Sequence, residues 1–417
     1  MSIKSDSGLL RELLFSILLI FFTQFFALEA SAEGEAFYQL LKVLKDKGTL
    51  SQDEYESLLN ASKEISGSKE KVEKTTIAQT KKKKKEEEKL QIHGNVRVRY
   101  QYNHLEDRTV AGVQAPDSRH RGRLRGKIGV TGKPTEGWEA GIGLTSGSDN
   151  PRGSNVDLGD TFSTKNILLD YAYIENERTN ISWVAGKFNR KKYLWNATDL
   201  MWDSDINPEG VSANYSTNTQ LGSFWTSSGL WVLEEVQNSS DDPYLVYLQL
   251  GHSFESENLQ FKLAGTKYLY ADMNESQVSQ IFQHSSNTNT DNNLNAFQLS
   301  GEFVSYKGTY RYALIGDMVK NVDTNSHENL AYSVGFQIFK SPWKFKYLYA
   351  KLEHDSIPDF LPDSDRFNGH TGIKGHEAEL QYRLNKSIRL GLDFYSTEDY
   401  DTNVSQNVLQ ADILLNF

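Results

Sequence analysis

Two-faced segments fill the chain from residue 90 onward. In 91–104, Val96, Val98, Tyr100 and Tyr102 oppose Arg97, Arg99, Gln101 and Asn103. In 373–384, Ala378, Leu380, Tyr382 and Leu384 oppose Glu377, Glu379, Gln381 and Arg383, and in 387–397 Ile388, Leu390, Leu392 and Phe394 oppose Arg389, Asp393 and Tyr395. A period of two belongs to an extended strand, whose successive side chains leave on opposite faces. About sixteen such segments recur, the last at 405–417. Before residue 90 the pattern changes: Phe37, Leu40, Leu41, Leu44, Leu50, Tyr55, Leu58 and Leu59 repeat at helical spacing, with Gly48 between two short helices and Thr49 or Ser51 capping the second.

The connections alternate in length. Short, turn-like ones at 133–135, 176–180, 218–220, 255–257, 307–308, 340–342 and 385–386 separate longer ones at 105–118, 148–164, 191–208, 234–242, 271–293, 320–327, 354–372 and 398–404. An even number of antiparallel strands with short turns on one rim and long loops on the other predicts an all-β chain. Residues 90–417 should close as a transmembrane antiparallel β-barrel of about 16 strands, with the short turns in the periplasm. A charge facing lipid at mid-membrane costs a few kcal/mol, so the charged faces should line a wet lumen. Trp138, Trp183, Tyr268 and Trp343 lie near segment ends, where interfacial aromatic belts form.

The remaining segments fit an exported protein. Residues 1–32 read as a signal peptide: Lys4 and Arg11 precede an apolar run from Leu13 to Leu28, and Ala30-Ser31-Ala32 offers a cleavage box before Glu33. Residues 33–61 form the helical hairpin. Residues 62–89, with five lysines at Lys81 to Lys85 and then Glu86, Glu87 and Glu88, form a charged linker or weak coiled coil. That lysine run could touch anionic lipid or the cell-wall polymer.

The last strand, NVSQNVLQADILLNF, places Leu409, Ala411, Ile413, Leu415 and Phe417 on one face. An amphipathic C-terminal strand ending in Phe resembles the assembly signal of outer-membrane barrels, in which it pairs with the first strand and leaves no edge. Asp412 and Gln410 would then point toward Arg97 or Arg99. The hairpin motif KGTLSQDEYESLL behind a signal peptide resembles the periplasmic leader of the "Putative porin" family of Gram-negative bacteria. This resemblance implies an outer-membrane porin, embedded in lipid and lipopolysaccharide, that passes small hydrophilic solutes or ions. Similarity to general porins further implies a homotrimer and a third long loop folded inward to narrow the bore. Arg190, Lys191, Lys192, Asp199, Asp203 and Asp205 are then constriction residues.

Composition agrees. The 21 Tyr, 21 Phe and 7 Trp accompany 30 Gly and a mean hydropathy of -0.57, a strand-forming chain that is polar on average. With no Cys there are no disulfides or thiolate metal sites, and the net charge of -10 argues against nucleic acid as a partner. Distribution matters more than the sum. Arg119, Arg121, Arg123, Arg125 and Lys127 share one face of the second segment, beside Arg97 and Arg99 on the first, and should form a basic ladder on one lumen wall. Asp170, Glu377, Glu379 and Asp393 could form an acidic wall facing it, giving a transverse field. The alternative is local pairing that merely fills the lumen.

Asp203, Asp205, Asn207 and Glu209 alternate like oxygen ligands for calcium, but the glycine and closing glutamate of a calcium loop are missing, so no metal site is assigned. The nine histidines are scattered, His104, His284, His327, His354 and His370 among them in loops, with no G-x-S-x-G elbow. No catalytic residue and no cofactor are assigned. A surface binding protein or adhesin displaying loops 271–293 and 354–372 is the alternative function, and a barrel hydrolase a more distant one.

Overall fold

The computed structural model describes residues 90–110, 112–237, 242–273, 286–288 and 294–417. The signal peptide, helical hairpin and charged linker of the sequence reading lie outside the described residues, as does most of the 271–293 connection. Sixteen strands cross the sheet. They are β1 (Leu90–Leu105), β2 (Ser118–Thr135), β3 (Trp138–Ser146), β4 (Ile167–Arg178), β5 (Ile181–Lys187), β6 (Glu209–Thr219), β7 (Gly222–Val232) and β8 (Tyr244–Glu255), then β9 (Leu259–Ala271), β10 (Ala296–Lys307), β11 (Tyr310–Asn321), β12 (Leu330–Lys340), β13 (Trp343–Leu352), β14 (Ile373–Arg383), β15 (Ile388–Asp399) and β16 (Ser405–Asn416). Each pairs antiparallel with its neighbours in sequence, and β1 pairs with both β2 and β16, which closes the barrel.

Closure rests on a close approach at Gly94. Its N–H donates to the Phe417 carbonyl at 2.9 Å and its carbonyl accepts from the Phe417 N–H at 3.0 Å. A Cβ on Gly94 would lie 2.7 Å from the Phe417 ring, so glycine is needed where the terminal aromatic crosses the first strand. The seam register sets Val98 opposite Ile413 and Arg99 opposite Asp412.

The period-two pattern explains which face is which. Val96, Val98, Ile142, Leu248, Leu263, Leu299, Leu314, Val334, Leu392 and Ile413 remain largely exposed although apolar, and the cross-strand registers put them all on the outer face. A continuous apolar outer surface of this kind is stable in hydrocarbon, not in water. The alternate residues point inward, where Ser, Gln, Asp, Glu, Arg and Lys are buried or half-buried.

The strand pattern does not foresee an apolar core inside the barrel. Loop 188–208, between β5 and β6, turns inward and buries Leu194, Leu200, Met201 and Trp202. Loop 353–372, between β13 and β14, joins it with Ile357, Phe360, Leu361 and Phe367. Inward side chains of the far wall complete the cluster, including Trp231, Leu245, Tyr247 and Tyr268. Polar ties fix the loop in place. Thr198 donates to Asp317 of β11 and meets Ser333 of β12 at 2.7 Å, while Trp195 exchanges two backbone hydrogen bonds with the Gln249 amide of β8. One half of the lumen is thus filled, and the polar half runs along β1 and β2.

Candidate functional site

The basic ladder lies on the inner face of β1 and β2, where the register sets Arg97 opposite Arg125 and Arg99 opposite Arg123. Like charges at cross-strand distance repel, so each must find an anion. Arg99, nearly buried, donates twice to Asp412 at 2.7 Å and lies 3.6 Å from Asp365. Arg97 donates to Asn155 at 2.7 Å and stands 3.7 Å from Asp412. Asp157, in the loop between β3 and β4, meets Arg119 at 3.1 Å, Arg121 at 3.5 Å and Arg123 at 2.9 Å. Lys127 pairs with Asp170 at 3.2 Å and Asp205 at 3.4 Å, and Arg125 reaches Asp205 at 3.9 Å. Seven cations therefore share five carboxylates, Asp412, Asp365, Asp157, Asp170 and Asp205, and the column keeps a positive excess.

The acidic residues do not form a facing wall. Asp170 sits beside Lys127 because β4 has a bulge there: Tyr171 pairs with Gly143 but Leu169 with Leu144, so Asp170 and Tyr171, consecutive in sequence, both point inward. Glu377 and Glu379 on β14 and Asp393 on β15 are two or three strands from β1 along the same wall, not across the bore. Glu377 pairs with Lys346 and with Arg366 at 3.0 Å, and Glu379 with Lys344 at 3.2 Å. These side chains flank the ladder, and a transverse field would have to arise from loop carboxylates instead.

Loop 188–208 presents those carboxylates. Asp205 meets the ladder; burial alone would raise its pKa, but Lys127, Arg125 and Arg97 outweigh it and hold it low. Asp199 pairs with Arg366 and is held below the usual range, since Arg366 and Lys346 overcome its burial. Asp203 accepts from the backbone N–H groups of Asp205 at 2.9 Å and Ser364 at 3.1 Å, yet burial pushes it up to about 7. Arg190 is a strut: it donates to Asn196 at 2.8 Å and to the Trp202 carbonyl at 3.0 Å, and burial lowers it to about 10. Lys191 keeps an exposed side chain. Lys192 turns back onto Glu175 and Glu177 of β4 and away from the ladder.

Several residues with equal claims escaped the sequence reading. Arg366, 2% exposed, joins Asp199, Glu377 and Asp363 and so links loops 188–208 and 353–372 to the wall. Arg152 carries the loop between β3 and β4 to the carbonyls of Asp359, at 3.0 Å, and Gly369, at 3.4 Å. The available signal was the apolar content of Ile357, Phe360, Leu361 and Phe367 in a segment otherwise read as displayed. Their burial corrects the picture of loop 354–372 as a display loop.

A closed sixteen-stranded barrel, apolar outside, charged along its inner wall and narrowed by inward loops, defines a porin-like barrel of the outer-membrane type. The chain belongs to the "Putative porin" family, whose model matches residues 109–336. No curated protein matches it. Among solved structures it resembles OprB of Pseudomonas putida, with 10% identity, a TM-score of 0.54, and coverage of 79% of this chain and 95% of that one. A triple mutant of Rhodopseudomonas blastica porin aligns at 10% identity and a TM-score of 0.44, covering 79% of this chain and 100% of the other. At such identity the likeness to OprB concerns the barrel fold alone.

Proposed function

We propose that this chain is an outer-membrane porin that lets small hydrophilic solutes and ions diffuse passively through its lumen. The observation that carries the reading is the column of ionised side chains from Arg119 to Lys127, with Arg97 and Arg99 beside it, at the edge of the loop-filled half of the barrel. Ionised groups packed this densely need water around them, and a wet polar strip beside a dry apolar core is what a narrowed diffusion path requires. Arg97, Arg99, Arg119, Arg121, Arg123, Arg125 and Lys127 set the sign of the field, and Asp170, Glu377, Glu379 and Asp393 balance it from the flanks. Asp199, Asp203 and Asp205, with Lys191 at the root of their loop, form the constriction, while Arg190 braces that loop from within and Lys192 ties its root to β4. The inward course of loop 353–372 favours this over a display function.

In this reading the short turns face the periplasm, residues 1–32 are removed on export, 33–61 form a periplasmic hairpin, and 62–89 tether it. The barrel is surrounded by lipid and lipopolysaccharide. By resemblance to general porins it assembles as a homotrimer. Proteoliposomes holding the purified barrel should swell in an isosmotic small polyol and not in a large dextran. Swelling no faster than that of empty liposomes would defeat the proposal.

A further inference from the structure

On the short-turn side of the constriction the inner wall carries a feature that the diffusion reading does not use. Gly129 of β2 and Gly141 and Gly143 of β3 point inward, and three rings lie flat in the space their missing side chains leave. A Cβ at Gly141 would come within 2.5 Å of the Tyr173 ring, one at Gly143 within 2.2 Å of the Tyr171 ring, and one at Gly129 within 1.8 Å of the Tyr171 hydroxyl. His93 extends the surface: its Nε2 is 2.9 Å from the Tyr171 hydroxyl, and the two rings are parallel within 2°. Tyr173 is fixed by donating to Glu139 at 2.7 Å. Each tyrosine is half-buried, with one face against the glycine floor.

The other side of this platform borders a cavity of about 310 Å³. Across it stand Lys127, Asp170, Asp205 and Asn207, with Asn207 donating to the Asp170 carboxylate at 2.9 Å. Lys127 lies between both carboxylates, so the charges are already paired and a charged ligand would have to break them. A neutral ligand would not. The remaining lone pairs and N–H groups present donors and acceptors side by side, which suits vicinal hydroxyl groups, and the ring faces suit a flat, weakly polar surface. The volume is at the small end for ligand sites and holds one ring.

We propose that this cavity is a resting site for a neutral polyhydroxylated ring, a monosaccharide in its pyranose form, stacked on Tyr171, flanked by Tyr173, whose ring is tilted 43° from that of Tyr171, and hydrogen-bonded by Asp170, Asn207 and Lys127. The proposal deepens the porin reading and rests on it for physiological meaning, but binding is measured without conduction. Calorimetric titration of the barrel, refolded in a detergent without a sugar headgroup, should show saturable millimolar binding of glucose and no binding of sorbitol, which has the hydroxyls but not the ring. Tyr171→Ala with Tyr173→Ala should weaken binding about tenfold. Asp170→Asn, which keeps the floor intact, should weaken it as well, and heat-modifiable gel migration shows that each variant has closed. Equal affinity for sorbitol, tighter binding of a nucleoside such as uridine, or unchanged affinity in both variants would overturn the proposal. Glucose binding by a barrel that fails to swell liposomes would refute the diffusion reading alone; swelling without binding would refute only this site.

Discussion

Replacing Arg366 with Met tests whether the inward loops are held by charge. Arg366 is almost wholly buried and is shared by Asp199, Glu377 at 3.0 Å and Asp363 at 3.8 Å. Methionine keeps much of the volume but leaves buried carboxylates without their cation. Breaking such a pair costs about 3 to 5 kcal/mol. Lys346, which also touches Glu377 and is 4.0 Å from Asp199, takes up part of that load, so the lower end applies. About 3 kcal/mol corresponds to a fall of about a hundredfold in the closed-to-open ratio of the loop junction. The strand ladder does not pass through Arg366, and the barrel should stay closed. Single-channel recording should then show a larger mean conductance with frequent substates, and proteinase K should cut within 353–372, a segment it spares in the native protein. Conductance, noise and protease resistance all equal to the native protein would refute the idea that this arginine pins the loops.

Three further outcomes follow from the same contacts. Asp157→Asn removes the carboxylate shared by Arg119, Arg121 and Arg123 and should shift the reversal potential in a salt gradient toward anions; a shift toward cations would contradict the ladder assignment. Asp412→Ala takes from buried Arg99 its doubly hydrogen-bonded carboxylate and leaves Asp365 at 3.6 Å, and by losing a buried pair should lower barrel stability by about 3 kcal/mol in urea titration followed by gel migration. The loops should also loosen as pH rises. Burial raises Asp203 to about 7, so the folded loop retains a proton that the unfolded chain releases near its ordinary value of about 3.9, and stability falls across that interval. His354, which burial would lower, is held up by the Ser286 carbonyl and by Asp401 at 2.6 Å; its contribution is full below its ordinary pKa and lost as pH rises through the raised one. Channel noise should therefore grow as pH rises, with Asp203→Asn flattening the part between about 4 and about 7 and His354→Gln the part above the ordinary imidazole value of about 6.5. Noise that grows toward acid pH would reverse the sign.

The wall was legible in the sequence because a strand writes its environment at every second residue. The alternation at Val96 to Tyr102 and at Leu409 to Phe417 is enough to set the faces, and alternating loop lengths set the number of strands. The bulge at Asp170 was not legible: an extra residue shifts the parity of one strand without changing its composition. Closing the barrel with the last strand did set Asp412 across from Arg97 or Arg99, and Arg99 meets it 313 positions away. The loop partners were not legible: Arg366 finds Asp199 167 positions back, a distance at which local pattern carries no register. The loops hid most, since their apolar residues have no period. Trp202 lies in the loop that resemblance to general porins turns inward, but Phe360 could be placed inside only by noticing that a displayed loop has no use for it.

The central claim is that an open aqueous path runs along the ladder. Planar-bilayer recording of the purified protein across a salt gradient tests it most directly, alongside the variant with Arg121, Arg123 and Arg125 all changed to Gln. Steady open-channel conductance is expected in both, with the reversal potential of the variant displaced toward cation preference. Stable insertion without conductance would contradict the pore, and an unchanged reversal potential would show that these arginines do not face the path of permeation.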